Sequence, residues 1–124
     1  MTEIKVFHTK DIKGGNPFMF TCVDMLAKTG RHLPSKEDLD EYYVKVLDMQ
    51  IQDEVDPREL CNQVYHQINC GIGCFDRMVS QYQIAQMKTH TSTSVGDIIQ
   101  INDTLYYVDY IGFEPFKLES YVNH

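Results

Sequence analysis

The stretch "HTSTSVGDIIQINDTLYYVDYIGF", His90 to Phe113, decides how this chain reads. Val95, Ile99 and Ile101 alternate on one face of an extended segment, and Asn102-Asp103 then offers a two-residue turn. Both turn residues tolerate the left-handed backbone conformation that tight hairpins need. A turn at that point sets the register: Ile99 falls opposite Tyr106, and Ile98 opposite Tyr107. The pattern predicts an antiparallel hairpin, with Pro115 bordering or ending the strand that follows.

Upstream of this stretch lies the clearest helix signal, over residues 56–70. Asp56 is placed to cap, Pro57 occupies the first helical position and Glu59 stands three residues after the cap. Leu60, Cys61, Val64, Tyr65 and Ile68 form one apolar stripe, and Gly71 closes the helix. A second amphipathic segment follows, with Phe75, Met78, Val79, Tyr82 and Ala85 on one face.

The first half of the chain is less uniform. Ile4, Val6 and His8 alternate, which predicts a strand over 3–9, and "KGGNP" then breaks the chain. From Asn16 a helix is expected, with Asn16 as cap, Pro17 in the first turn and Gly30 at the end; alternating Phe18, Phe20 and Cys22 give the rival strand reading. Residues 35–51 carry two signals. Ser35 followed by Asp38 marks a helix start, whereas "YYVKV" is aromatic and β-branched and favours a strand.

A chain of 124 residues, 43% hydrophobic and 23% charged, fits a single domain over 1–124. The expected fold class is α+β: a small, mostly antiparallel sheet with two or three helices packed on one face. The net charge of −7, with Lys and Arg dispersed, argues against a general grip on nucleic acid and against an anionic membrane surface. No run of 18 apolar residues occurs, and "MTEIKVFH" lacks the features of a signal peptide. A cytoplasmic setting is expected, in which Cys22, Cys61, Cys70 and Cys74 stay reduced.

Catalytic and metal chemistry find little purchase. Cys61, His66, Cys70 and Cys74 supply four zinc-type ligands, but only Cys70 and Cys74 have tight spacing, and Cys61 lies on the core stripe. Cys74 near a helix start with His90 is the one nucleophile-and-base pairing to weigh, and buried or inert thiols are the plainer reading. The acidic runs "SKEDLDE" and "QDEVD" read as solvated faces and helix starts. "GIG" and "KGG" lack the context of a phosphate loop, so no enzyme activity, metal or cofactor is expected.

What remains is surface chemistry. His90, Thr91, Ser92, Thr93 and Ser94, with Asp97 beyond them, present hydroxyls and amides that suit a ligand or partner contact. The alternative is a strand start whose Thr93 and Ser94 bond to nearby backbone. Arg58, in the first turn of its helix, and Arg77 are candidate anion contacts, and Tyr82 is a candidate aromatic one. The eight tyrosines suit interfaces and are compatible with a homo-oligomer.

The C-terminal pattern also resembles a known family. After His90 and Ser92 it reads Ser94-Val95-Gly96-Asp97, the apolar Ile98-Ile99, then Tyr106-Tyr107-Val108 and Gly112-Phe113. In this it is similar to the YodL-like family of small phage and mobile-element proteins, in which a helix ending in Asn, as "LCNQVYHQIN" does, often precedes the motif. The family pattern places a strand before that helix, which tips "YYVKVLDMQI" towards β. Residues 1–40 have no counterpart in it, and "CGIGCFDRMVSQYQIAQMKT" departs from its compact form. The resemblance implies a fold and a phage-type setting and supplies no catalytic residue. With the single domain and the lack of a catalytic constellation, the expectation is a small, non-catalytic accessory protein, in the host cytoplasm if phage-encoded. It would act by binding, against a host defence, on a host protein or a nucleotide-type small molecule. A PUA-like RNA-binding module, suggested by the Gly-Asp strand start, and a nucleotide-acting enzyme are the alternatives.

Overall fold

The computed structural model describes residues 1–70 and 93–118. Its elements in chain order are β1 (Thr2–Thr9), α1 (Val23–Lys28), α2 (Lys36–Tyr42), β2 (Tyr43–Ile51), α3 (Pro57–Cys70), β3 (Ile98–Ile101), β4 (Thr104–Val108) and β5 (Phe113–Phe116). The strands form one antiparallel sheet in the order β2-β1-β3-β4-β5. The fold is therefore α+β, as the alternating and helical periodicities indicate.

The β3–β4 hairpin has the expected register, with Ile99 opposite Tyr106 and Ile98 opposite Tyr107. Of the two turn residues only Asn102 takes a positive φ, 54°. Asn102 also exchanges two bonds with β1: its amide donates to the Glu3 carbonyl at 2.9 Å, and its Oδ1 accepts from the Glu3 amide at 3.0 Å. The hairpin tip is thus tied to the neighbouring strand β1. Pro115 lies within β5, opposite Tyr106, where an edge strand tolerates the missing N–H.

Alternation sorts the side chains between two faces. Ile4, Val6, Val46, Ile99, Ile101, Tyr106 and Val108 pack with Leu60, Cys61, Val64 and Ile68 of α3. On the opposite face Ile98, Leu105, Tyr107 and Tyr43 pack with Phe18 and with Leu26 of α1, and Leu39 of α2 flanks them. The expected one-face packing describes α3 alone; α1 and α2 cover the other face. The reason is the β4 run Leu105-Tyr106-Tyr107-Val108, apolar at every position, so both faces need cover. Each fully buried Ile or Leu contributes about 1.5–3 kcal/mol through removal from water.

The helix α3 starts as its sequence indicates. The Asp56 carboxylate accepts from the Glu59 amide at 3.2 Å. The 35–51 segment satisfies both of its signals in turn. Ser35 and Asp38 form a reciprocal capping box for α2, and the chain then becomes extended at Tyr43. The helix expected from Asn16 begins instead at Val23. Asn16 caps no helix: its Nδ2 donates to the carbonyls of Lys10 and Tyr42 at 2.9 and 2.8 Å, and its Oδ1 accepts from Phe18. Serving distant carbonyls fixes 17–20 as turn, and Gly30, at φ +76°, still follows the helix end. The amphipathic segment around Phe75–Ala85 lies outside the described residues.

Candidate partner-binding surface

Thr93 and Ser94, the described part of the hydroxyl-rich segment, are built into the fold. Thr93 is 1% exposed. Its amide donates to Asn69 Oδ1 at 2.7 Å, its carbonyl accepts from Asn69 Nδ2 at 2.8 Å, and its hydroxyl lies 3.0 Å from Nε2 of buried His8. Asn69 thereby clamps the chain before β3 to the end of α3. Ser94 donates its amide to Asp97 Oδ2 at 2.7 Å, and the Asp97 amide returns to the Ser94 carbonyl at 3.0 Å, closing a turn. Asp97 Oδ1 accepts from the Thr9 amide at 2.8 Å. Both carboxylate oxygens thus hold backbone, and the side chain is 3% exposed. Burial pushes its carboxyl up to about 7, against the lowering effect of the two N–H donors.

Gly96 explains the Gly-Asp step. Its φ is +98°, and a Cβ there would stand 1.9 Å from the Phe18 carbonyl oxygen. The two segments meet backbone to backbone, and the Phe20 amide donates to the Val95 carbonyl at 3.0 Å. Only glycine permits this approach.

The other sequence candidates fall elsewhere. Arg58 is exposed on the first turn of α3, and its Nη1 donates to the Phe113 carbonyl at 3.1 Å. It stands about 16 Å along the helix from Asn69, at 1.5 Å per residue, so α3 does not bring it to Thr93. His90, Thr91, Ser92, Arg77 and Tyr82 lie outside the described residues. Of the zinc-type set, Cys61 is in the core with its thiol pushed up to about 12 by burial, His66 is exposed, and Cys70 side chain and Cys74 fall outside the description. Among the described residues no group of three His, Cys, Asp or Glu is placed to hold a metal.

The surface that sequence reasoning missed is apolar. Two turns meet at the end of the sheet where β4 leaves for β5. The Asp109 amide bonds the Gly112 carbonyl at 3.2 Å and closes the first turn, whose tip carries Tyr110, 73% exposed, and Ile111, 94% exposed. Asp109 Oδ1 accepts from Tyr110 at 2.9 Å and from the Val23 amide at 3.3 Å, joining that turn to the start of α1. The Tyr107 hydroxyl donates to the Thr21 carbonyl and pins the same segment. That second segment presents Phe20, 63% exposed, and Met25, 47% exposed. Phe20 sits at φ +56°, a conformation that costs a non-glycine residue roughly 1 kcal/mol or more. The bond from the Phe20 amide to the Val95 carbonyl holds this backbone, which leaves the aromatic ring turned to solvent. Its signal in the sequence is weak, because Phe20 alternates with Phe18 and Cys22 as a strand residue would.

A concavity of about 300 Å³ lies on the α2 side of the sheet between β1 and β2. Phe7, Tyr43 and Leu39 line it together with Asp40, Lys5 and Lys45. Lys5 pairs with Glu3 at 3.1 Å and Lys45 with Asp48 at 2.7 Å. Among the described residues no helix is long and apolar enough to cross a membrane. In comparisons with known proteins, no family model, no curated protein and no solved structure matches the chain.

Proposed function

We propose that this protein is a small, non-catalytic accessory protein of the phage type that acts by binding, and that its partner is a host protein engaged through the Phe20, Met25, Tyr110 and Ile111 surface. The observation that carries the reading is the exposure of these four side chains on the 109–112 turn and on the segment that runs through Phe20 into α1, which Asp109 joins. Aromatic residues and Met are enriched at interface centres and dominate their energetics. The phage and counter-defence setting rests on the C-terminal motif resemblance, and the host cytoplasm is the setting that goes with it.

A second reading, sequestration of a nucleotide-type molecule, is favoured by the cleft that combines Lys5 and Lys45 with the rings of Phe7 and Tyr43. The two readings separate in one experiment. Native affinity capture from host lysate compares the wild-type chain with Ile111→Asp, and small molecules released on denaturation are identified by mass spectrometry. A host protein retained in stoichiometric amount by the wild type and lost by Ile111→Asp supports the first reading. A nucleotide released equally from both chains supports the second. Neither a protein nor a ligand in either sample rejects both.

A further inference from the structure

We propose that the outer edge of β2 pairs with β2 of a second copy of this chain, antiparallel, about a two-fold axis between Val46 and Leu47. The sheet has two edges, and they differ. β5 is four residues long and contains Pro115, both of which blunt an edge. β2 is nine residues long, contains no proline, and among the described residues pairs only with β1.

The direction of its backbone follows from β1. Glu3 exchanges its amide and carbonyl with Asn102, and Thr9 gives its amide to Asp97, all on the β3 side. By alternation Lys5 and Phe7 face that side too. Their partners on β2 are Asp48 and Lys45, and those of Glu3 and Thr9 are Gln50 and Tyr43. The amides and carbonyls of Tyr43, Lys45, Asp48 and Gln50 therefore point away from β1, towards the outer edge, which no described residue pairs.

The bulge in β2 completes the pattern. The register passes from Val6 opposite Leu47 to Phe7 opposite Lys45, so Val46 is the extra residue. A regular strand would put Lys45 and Asp48, three apart, on opposite faces. The bulge puts them on the same face, where their side chains meet at 2.7 Å. A two-fold axis between Val46 and Leu47 then sets Lys45 opposite Asp48 of the second copy, and Asp48 opposite its Lys45. The same register sets Val44 opposite Met49, both half-buried on the α3 face, and Tyr43 opposite Gln50. Both members of each pair share a face. Lys45–Asp48 and Tyr43–Gln50 have outward backbone, and Val44–Met49 lies between them as a non-hydrogen-bonded pair, as antiparallel alternation requires. Lys45 alone would discourage edge pairing; with Asp48 it makes the edge self-complementary. Two five-stranded sheets would join as one.

Charge exchange tests the pairing. Sedimentation velocity of the full chain, from about 1 μM to about 1 mM, covers the affinity range of weak to moderate dimers. The wild type is expected to dimerise with rising concentration. Lys45→Asp alone and Asp48→Lys alone each place like charges across the axis, and each should weaken the dimer roughly tenfold or more. An equimolar mixture of the two single variants restores both opposite-charge pairs and should sediment as a heterodimer. The double variant Lys45→Asp/Asp48→Lys should dimerise as the wild type does. The mixture separates the proposal from the intrachain pair, which mixing cannot repair. A wild type that stays monomeric over the whole range, single variants that dimerise unchanged, or a mixture that stays monomeric would each overturn the pairing.

Discussion

The Tyr43 hydroxyl donates a 2.6 Å hydrogen bond to the carbonyl oxygen of Gly96. The two residues are 53 apart in sequence, and the bond is buried. It joins the first residue of β2 to the turn that leads into β3, across the end of β1. Burial, with Tyr107 and Asp97 nearby, keeps the phenol protonated far above its ordinary range, so it remains a donor. Tyr43→Phe should cost about 1–3 kcal/mol, because the Gly96 carbonyl loses a buried partner while packing is kept. Urea denaturation of the two proteins reads the difference directly, and an unchanged midpoint would show that the bond carries no net stability.

Gly96→Ala should be among the most damaging single substitutions in the chain. The added methyl would sit 1.9 Å from the Phe18 carbonyl oxygen at a φ of +98°. Backbone must move on both sides, so a loss of about 3 kcal/mol or more is expected, beyond the usual cost of a point change. Thermal unfolding by circular dichroism checks it. An Ala variant as stable as the wild type would refute the close approach.

Asp97 should give the protein a pH-dependent stability. Its carboxyl is raised to about 7 in the folded state, from an unfolded value near 4. The folded chain then binds this proton more tightly than the unfolded chain between those values. The contribution is fully present below the unfolded pKa and is lost as pH rises through about 7. Unfolding free energy should therefore fall by a few kcal/mol (~2–4) over that window from this group. Asp97→Asn should flatten the slope. A carboxyl resonance of Asp97 that titrates near 4 in an NMR experiment would contradict the shift.

The Ser35 and Asp38 capping box sets where α2 begins. The Asp38 amide donates to Ser35 Oγ at 3.1 Å, and the Ser35 amide donates to Asp38 Oδ2 at 3.0 Å. Ser35→Ala should cost about 1 kcal/mol, and Ser35→Asp should retain most of the stability. Chemical denaturation of the three proteins orders them, and an Ala variant equal to the wild type would deny the cap its role.

Ile111→Asp should leave stability within about 0.5 kcal/mol, since the side chain is 94% exposed and makes no core contact. It should nevertheless abolish retention of a protein partner, by placing a charge at the centre of an apolar contact. Equal melting temperatures with unequal capture would locate the interface at this turn. Equal capture would move it elsewhere.

Much of this architecture is legible without coordinates. The β3–β4 register follows from a period of two and a two-residue turn, and α3 follows from Asp56, Pro57 and an apolar stripe. Residues 35–51 were ambiguous because the chain contains both answers, changing from helix to strand at Tyr43. The site was harder to read. Thr93 and Asp97 look like ligand groups on polarity alone, yet their bonds go to Asn69, Thr9 and Ser94. Phe20 alternates with Phe18 and Cys22, both of which are buried, yet 63% of it faces solvent.

The sequence by itself determined the α+β class, the hairpin register and the start of α3, because periodicity, capping and turn chemistry act over a few residues. Tertiary structure alone decided which face each helix covers, where α1 begins, and what the Ser-Val-Gly-Asp turn is for. Those outcomes depend on groups far apart in the chain: Asn16 on Tyr42, Tyr43 on Gly96, Asp97 on Thr9. A buried polar group must find its partner wherever the fold brings one, and no local pattern encodes that distance.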